Sequence, residues 1–160
     1  MAPKALAVVN ANDVLPTNAD GTLPMQPNAD LFFLSGIEQE ESILVLFPDA
    51  ADEKQREILF VREPNEHLQI WEGYKHSKPD ARKISGIKNV QWLSEFPVIF
   101  RSLMCEAESA YLNSNEYKRA HVEVETRDVR FIKQCQADFP LHTYRRLAPL
   151  LHELRVVKTD

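Results

Sequence analysis

The stretch Asn28-Ala29-Asp30-Leu31-Phe32-Phe33-Leu34-Ser35-Gly36-Ile37, continued by Ser42-Ile43-Leu44-Val45-Leu46-Phe47-Pro48, decides how the chain is read. Leu31–Leu34 and Ile43–Phe47 are short continuous apolar runs bounded by turn residues. Ser35-Gly36 closes the first and Pro48-Asp49 the second. Runs of four or five apolar residues with such bounds predict strands buried on both faces. Ile58-Leu59-Phe60-Val61 is a third run, and the charged connector from Pro48 to Arg56 predicts a hairpin between it and the second.

Working outward, Leu6–Val9 predicts a buried first strand. Residues 10–30 are rich in Asn, Asp, Pro and Gly, whose side-chain hydrogen bonds and restricted φ favour turns. A segment of that length is often functional. Ser77-Lys78-Pro79-Asp80 predicts a helix start, with Ser77 as N-cap, Pro79 in the first turn and Asp80 at the positive helix end; Gly86 suits the left-handed C-terminal cap. Asn89–Leu93 alternates as a half-buried strand does, which places Trp92 in the core. Ser94 follows as an expected N-cap for a helix whose apolar face is Phe96, Ile99, Phe100, Leu103 and Met104. Ala110–Leu112 predicts a brief strand. Val129, Ile132, Cys135 and Phe139 fall on one helical face ended by Pro140, and a last helix is expected from near Arg146. Strands first, then strand and helix mixed, predict an α/β domain with a mixed sheet covered by helices.

The totals bound the function. A chain of 160 residues is one domain, or one domain with a tail. Its net charge of −5, from 24 acidic and 19 basic residues, gives no support for a nucleic-acid or anionic-membrane partner. Two cysteines, Cys105 and Cys135, form no disulfide framework; both lie among apolar residues and are expected to be buried free thiols, in keeping with a reducing cytoplasm. No apolar run approaches a membrane span, and the N-terminus lacks the pattern of a secretory signal.

Chemistry-bearing motifs are absent from the sequence. The histidines, His67, His76, His121, His142 and His152, form no His-Glu-x-x-His, and there is no Cys-x-x-Cys. No Gly-x-Ser-x-Gly elbow occurs, and glycines at 21, 36, 73 and 86 are too dispersed for a phosphate cradle. The acids Glu38, Glu40 and Glu41, and Asp49, Asp52 and Glu53, read as solvated connectors. Trp71, in Ile70-Trp71-Glu72-Gly73-Tyr74, either packs at a strand end or stands at an interface or cleft rim; the residues alone leave both readings open.

Taken together with Ile70-Trp71-Glu72-Gly73-Tyr74 and Leu150-Leu151-His152-Glu153-Leu154-Arg155-Val156-Val157-Lys158, the Asn28–Pro48 stretch resembles the N-terminal domain of Xaa-Pro aminopeptidases (aminopeptidase P) and their prolidase and creatinase relatives. The order and spacing of these pieces carry the resemblance over nearly the whole chain, while Asn113–Val124 has no counterpart. The resemblance implies a ribonuclease-H-like α/β domain with a mixed six-stranded sheet flanked by helices, spanning residues 1–160 as a single domain. It implies that the chain is the non-catalytic half of an enzyme, ending at the junction to a C-terminal catalytic domain. That partner domain would hold two divalent metal ions, typically manganese, and no cofactor or metal residue carries over to this chain. Further implied partners are a peptide substrate and sister subunits in a homodimer or homotetramer. Trp71 matches a family tryptophan that can reach a neighbouring subunit's cleft, and Asp20 matches an acidic loop position near the incoming peptide's amino end. A free-standing interaction module of the same fold is the alternative expectation.

Overall fold

The computed structural model describes residues 1–19, 21–65, 73–117 and 123–157. Six strands form one mixed sheet: β1 (Ala5–Asn10), β2 (Ile43–Leu46), β3 (Glu57–Val61), β4 (Asn89–Trp92), β5 (Ser109–Leu112) and β6 (Thr143–Arg146), in the order β4-β3-β2-β1-β5-β6. β1 pairs antiparallel with β2 (Val8 opposite Val45), and β2 with β3 (Leu44 opposite Leu59). The other three pairings, β3 with β4, β1 with β5 and β5 with β6, are parallel. Only β2 therefore runs against the rest. The carboxyl ends of β1, β3, β4, β5 and β6 share one edge of the sheet, and the long connections leave from there.

Successive strand residues point to opposite faces, and both faces are covered. Leu6, Val8, Val45, Ile58, Phe60 and Ala110 point to one core, closed by α3 (Phe96–Glu106) and α4 (Arg127–Asp138) through Phe100, Leu103, Met104 and Cys135. Ala7, Val9, Leu44, Leu59, Val61 and Val90 point to the other, closed by α1 (Ala29–Ser35), α2 (Lys78–Ser85) and α5 (Ala148–Val156) through Leu31, Ala81 and Leu151. Burial on both sides is why these strands read as continuous apolar runs rather than as alternation. The expected α/β architecture with a mixed six-stranded sheet is what forms, and the hairpin of β2 with β3 sits where the sequence places it.

Leu31–Leu34 is a correction. It is not a strand but the body of α1. Asn28 Oδ1 accepts from the backbone N–H groups of Asp30 and Leu31 at 3.0 and 3.1 Å, and Gly36, at φ 68°, donates back to Phe32 O at 2.7 Å. Those are an N-cap and a left-handed C-cap. The burial is one-sided: Leu31 and Ser35 are buried and Phe32 is exposed. The same two signals bracket α2, where Ser77 Oγ accepts from Asp80 N and Gly86 takes φ 74°.

Three smaller expectations also change. Ser94 is not the N-cap of α3; Leu93–Glu95 forms a 3-10 turn in which Glu95 Oε2 accepts from Trp92 N at 3.0 Å. Cys105 is exposed, because α3 turns Phe100, Leu103 and Met104 inward and residue 105 to the opposite side; Cys135 alone is the buried thiol, and burial pushes its pKa up to about 12. The last helix begins at Ala148, since residues 143–146 extend the sheet as β6. Trp92 is half-buried against the second core, with Lys78 Nζ 4.8 Å from its ring centroid.

Candidate functional site at the carboxyl edge of the sheet

Three connections leave the shared edge: residues 11–28 after β1, residues 62–77 after β3, and residues 113–126 after β5. In open α/β sheets this edge is where ligands are met, because the connections there splay apart. Asp20 belongs to the first connection and Trp71 to the second. Both residues lie outside the described ones, as do His67 and His121; the described starts of the two connections leave the same edge of the sheet.

The segment carrying Trp71 is gripped at both ends by the turn between α1 and β2. Gln39 Nε2 donates to Arg62 O at 3.3 Å, and Gln39 Oε1 accepts from His76 N at 2.7 Å. Glu40 does the same with charge: its Oε1 pairs with Lys75 Nζ and lies 3.5 Å from Arg62 Nη1. Glu40 and Lys75 are only 9% and 8% exposed, so this is a buried pair and not a solvated connector. Arg62 Nε also stands 3.6 Å from Glu41 Oε2. Arg62 opens the segment and Lys75-His76 close it. One three-residue stretch thus fixes the start and the end of the Trp71 segment. The sequence shows Glu38, Glu40 and Glu41 only as a run of acids; the partner of Glu40 lies 35 residues away, and no local signal announces it.

The segment carrying Asp20 is held differently. Asn12 Nδ2 donates to Gln26 O at 3.0 Å, and Asn28 Nδ2 donates to Asn12 Oδ1 at 3.1 Å. Thr17 N donates to Gly21 O at 2.9 Å and Leu23 N to Leu15 O at 2.8 Å, so residues 15–23 close on themselves. Arg130 of α4 adds an ion pair to Asp13 at 2.7 Å.

Further contacts at this edge involve α1, α4 and α5. Asp30 accepts from Asn113 Nδ2 at 2.8 Å and from Arg155 Nη2 at 2.7 Å, tying the first turn of α1 to β5 and α5. Asn10, at the end of β1, donates through Nδ2 to Asp128 Oδ1 at 3.0 Å. Burial raises the pKa of Asp128 above the usual carboxylate value, against the Asn10 hydrogen bond that lowers it; burial likewise lowers that of Arg127.

Among the described residues the donor set does not suit a metal centre. Among the described residues no three His, Cys, Asp or Glu side chains are grouped to hold an ion. Glu40 is engaged by Lys75 and Arg62, Asp30 by Asn113 and Arg155, and Asp128 by Asn10. Nor is any helix among the described residues long and apolar enough to cross a membrane.

Comparison with known proteins bears on the family and the fold. The sequence model of the family described as "Aminopeptidase P, N-terminal domain" matches residues 1–112, from the N-terminus to the end of β5. The Xaa-Pro aminopeptidase of Escherichia coli (strain K12) is 24% identical over 160 residues, covering 99% of this chain and 36% of the relative. A Bacillus anthracis protein assigned as an aminopeptidase P superposes with a TM-score of 0.87 at 25% identity, over all of this chain and 38% of that one. The aminopeptidase PepP of Pseudomonas aeruginosa gives 0.77 at 20% identity, over 100% of this chain and 36% of its own, a likeness of fold alone. The chain therefore spans little more than a third of the length of these relatives. With the family model covering well over half of its residues, this chain belongs to the family of aminopeptidase P N-terminal domains.

Proposed function

We propose that this chain is the non-catalytic N-terminal domain of a Xaa-Pro aminopeptidase, with residues 1–160 forming the single domain that precedes the catalytic one. The observation that carries this reading is the family match over residues 1–112, in a chain that covers 36% of the E. coli relative. The whole protein would release the N-terminal residue of peptides with proline second. Its catalytic domain would use two divalent ions, manganese in this reading, to activate water and polarise the scissile carbonyl. The work would take place in the cytoplasm, in a homodimer or homotetramer.

Within that protein the carboxyl edge would restrict access to the catalytic cleft. Trp71 would stand at the rim, on its own subunit or a neighbour's, and Asp20 would meet the protonated α-amine of the peptide through a charge-assisted hydrogen bond. What supports this is the departure of both segments from one edge, and the grip of Gln39 and Glu40 on the two ends of the Trp71 segment.

The test is Trp71→Ala in a polypeptide that carries this chain ahead of an aminopeptidase P catalytic domain. The expected result is a loss of about tenfold or more in kcat/KM on Xaa-Pro peptides, with assembly intact by size-exclusion chromatography. Unchanged kcat/KM with intact assembly rejects the rim role.

A further inference from the structure

On the face of the sheet away from α1, a cleft of about 480 Å³ opens between α3 and α4. That size is in the range of small-molecule sites. Its walls are aromatic, with Phe96 and Phe100 from α3, Phe131 from α4 and Phe139 just beyond. The rings brace one another: Phe96 stacks on Phe100 at 4.9 Å, and Phe100 meets Phe131 at 5.5 Å. Asn10 also lines the cleft and is 3% exposed. Its Nδ2 is identified by donation to the Asp128 carboxylate, so the other amide atom is the oxygen. That Oδ1 is buried and has no hydrogen-bond partner. A buried acceptor without a donor is costly, and in a native structure it asks for an explanation.

The lining of the same cleft carries more positive than negative charge, with Glu41, Asp13 and Asp128 also close to Arg127. Three arginines and one acid, Asp138, line it. Arg130 is taken by Asp13 and by Glu125 O. Arg127, half-buried, gives one hydrogen bond, to Glu41 O at 3.0 Å, and makes no ion pair among the described residues. Arg101 lies with its guanidinium carbon 5.6 Å from the Phe139 ring centroid, and it too makes no ion pair among them. A guanidinium with open N–H groups at the mouth of an apolar slot fits a carboxylate, which it can bind with two parallel hydrogen bonds.

We propose that this cleft binds a small monocarboxylate with an apolar or aromatic body and an amide N–H, of the size of an N-acylated aromatic amino acid or a dipeptide. The carboxylate is held by Arg127, with Arg101 adding charge at the rim. The body lies between the phenylalanines. The N–H donates to Asn10 Oδ1.

The experiment is a titration of the uniformly 15N-labelled 160-residue chain, followed by amide chemical shifts. The probes are N-acetyl-L-phenylalanine and its uncharged C-terminal amide. The expected result is saturable shifts confined to Asn10 and residues 96–101 and 127–139, with a Kd on the order of millimolar for so small a ligand. The uncharged amide should bind at least about tenfold more weakly, as should the acid to the R127Q variant. The spectrum of that variant reports its folding. If it is not folded, Arg101→Gln, at an exposed position, asks the same question with an expected weakening of about threefold. No shifts up to about 50 mM overturn the proposal. Equal affinity for acid and amide, or shifts centred elsewhere, overturn it equally.

Discussion

The two segments that leave the carboxyl edge are secured in opposite ways. Residues 62–77, which carry Trp71, are clamped at both ends by Gln39 and Glu40, and the clamp includes a buried carboxylate paired with Lys75 and Arg62. Residues 11–28, which carry Asp20, are held by shallow contacts: an amide-to-backbone bond from Asn12, an Asn28–Asn12 bond, and a half-exposed ion pair. A buried ion pair concentrates its energy in one side chain, since removing a partner strands charge in a poorly solvated place. Exposed contacts each contribute little and can be lost singly. The lesson is that the flanks of the Trp71 segment depend on two neighbouring residues, Gln39 and Glu40, whereas the Asp20 segment depends on none in particular.

The sharpest way to break this contrast is Glu40→Ala. Lys75 and Arg62 would lose their carboxylate, and the expected cost is about 3 kcal/mol of stability by urea denaturation. Replacing the pair together, E40L with K75M, should restore most of that. A cost under about 0.5 kcal/mol for Glu40→Ala would show that the clamp is ordinary surface chemistry.

On the other side, Asn28→Ala removes the N-cap of α1 and the bond to Asn12. About 1 kcal/mol is expected from the cap alone, read from the same urea midpoint. Asp128→Asn then tests the base of the Asp20 segment through pH. Burial raises the folded-state pKa of Asp128, so its protonated form favours the folded chain. Its contribution is fully present below the ordinary value of 3.8 and is lost as pH rises through the raised one. The stability of the native chain relative to the D128N variant should therefore fall as pH rises above 3.8, measured by urea midpoints across a pH series. The opposite slope would mean that the Asn10 hydrogen bond outweighs burial. Smallest of all, Asp13→Ala should cost no more than about 0.5 kcal/mol, because Arg130, its partner, is half-exposed and keeps access to solvent.

The sheet was legible wherever burial on both faces wrote a continuous apolar run, as in β1, β2 and β3. β6 was not, because an edge strand with Arg145 and Arg146 exposed writes no such run. α1 was misread although its caps were in plain view: Asn28 and Gly36 are as clear a pair as Ser77 and Gly86, but four apolar residues in seven looked like a strand. The candidate site rests on family resemblance alone. Asp20 and Trp71 lie outside the described residues, and their roles stand as proposals. Glu40 escaped because its meaning depends on Lys75 and Arg62, brought to it by the turn of the chain rather than by spacing.

The central claim, that this chain serves a peptidase without being one, is tested most directly by assaying the purified 160-residue chain on a Xaa-Pro peptide with added manganese. The account predicts no release of the N-terminal residue above the buffer control. Release that depends on the metal, and that survives repurification of the chain, would contradict it.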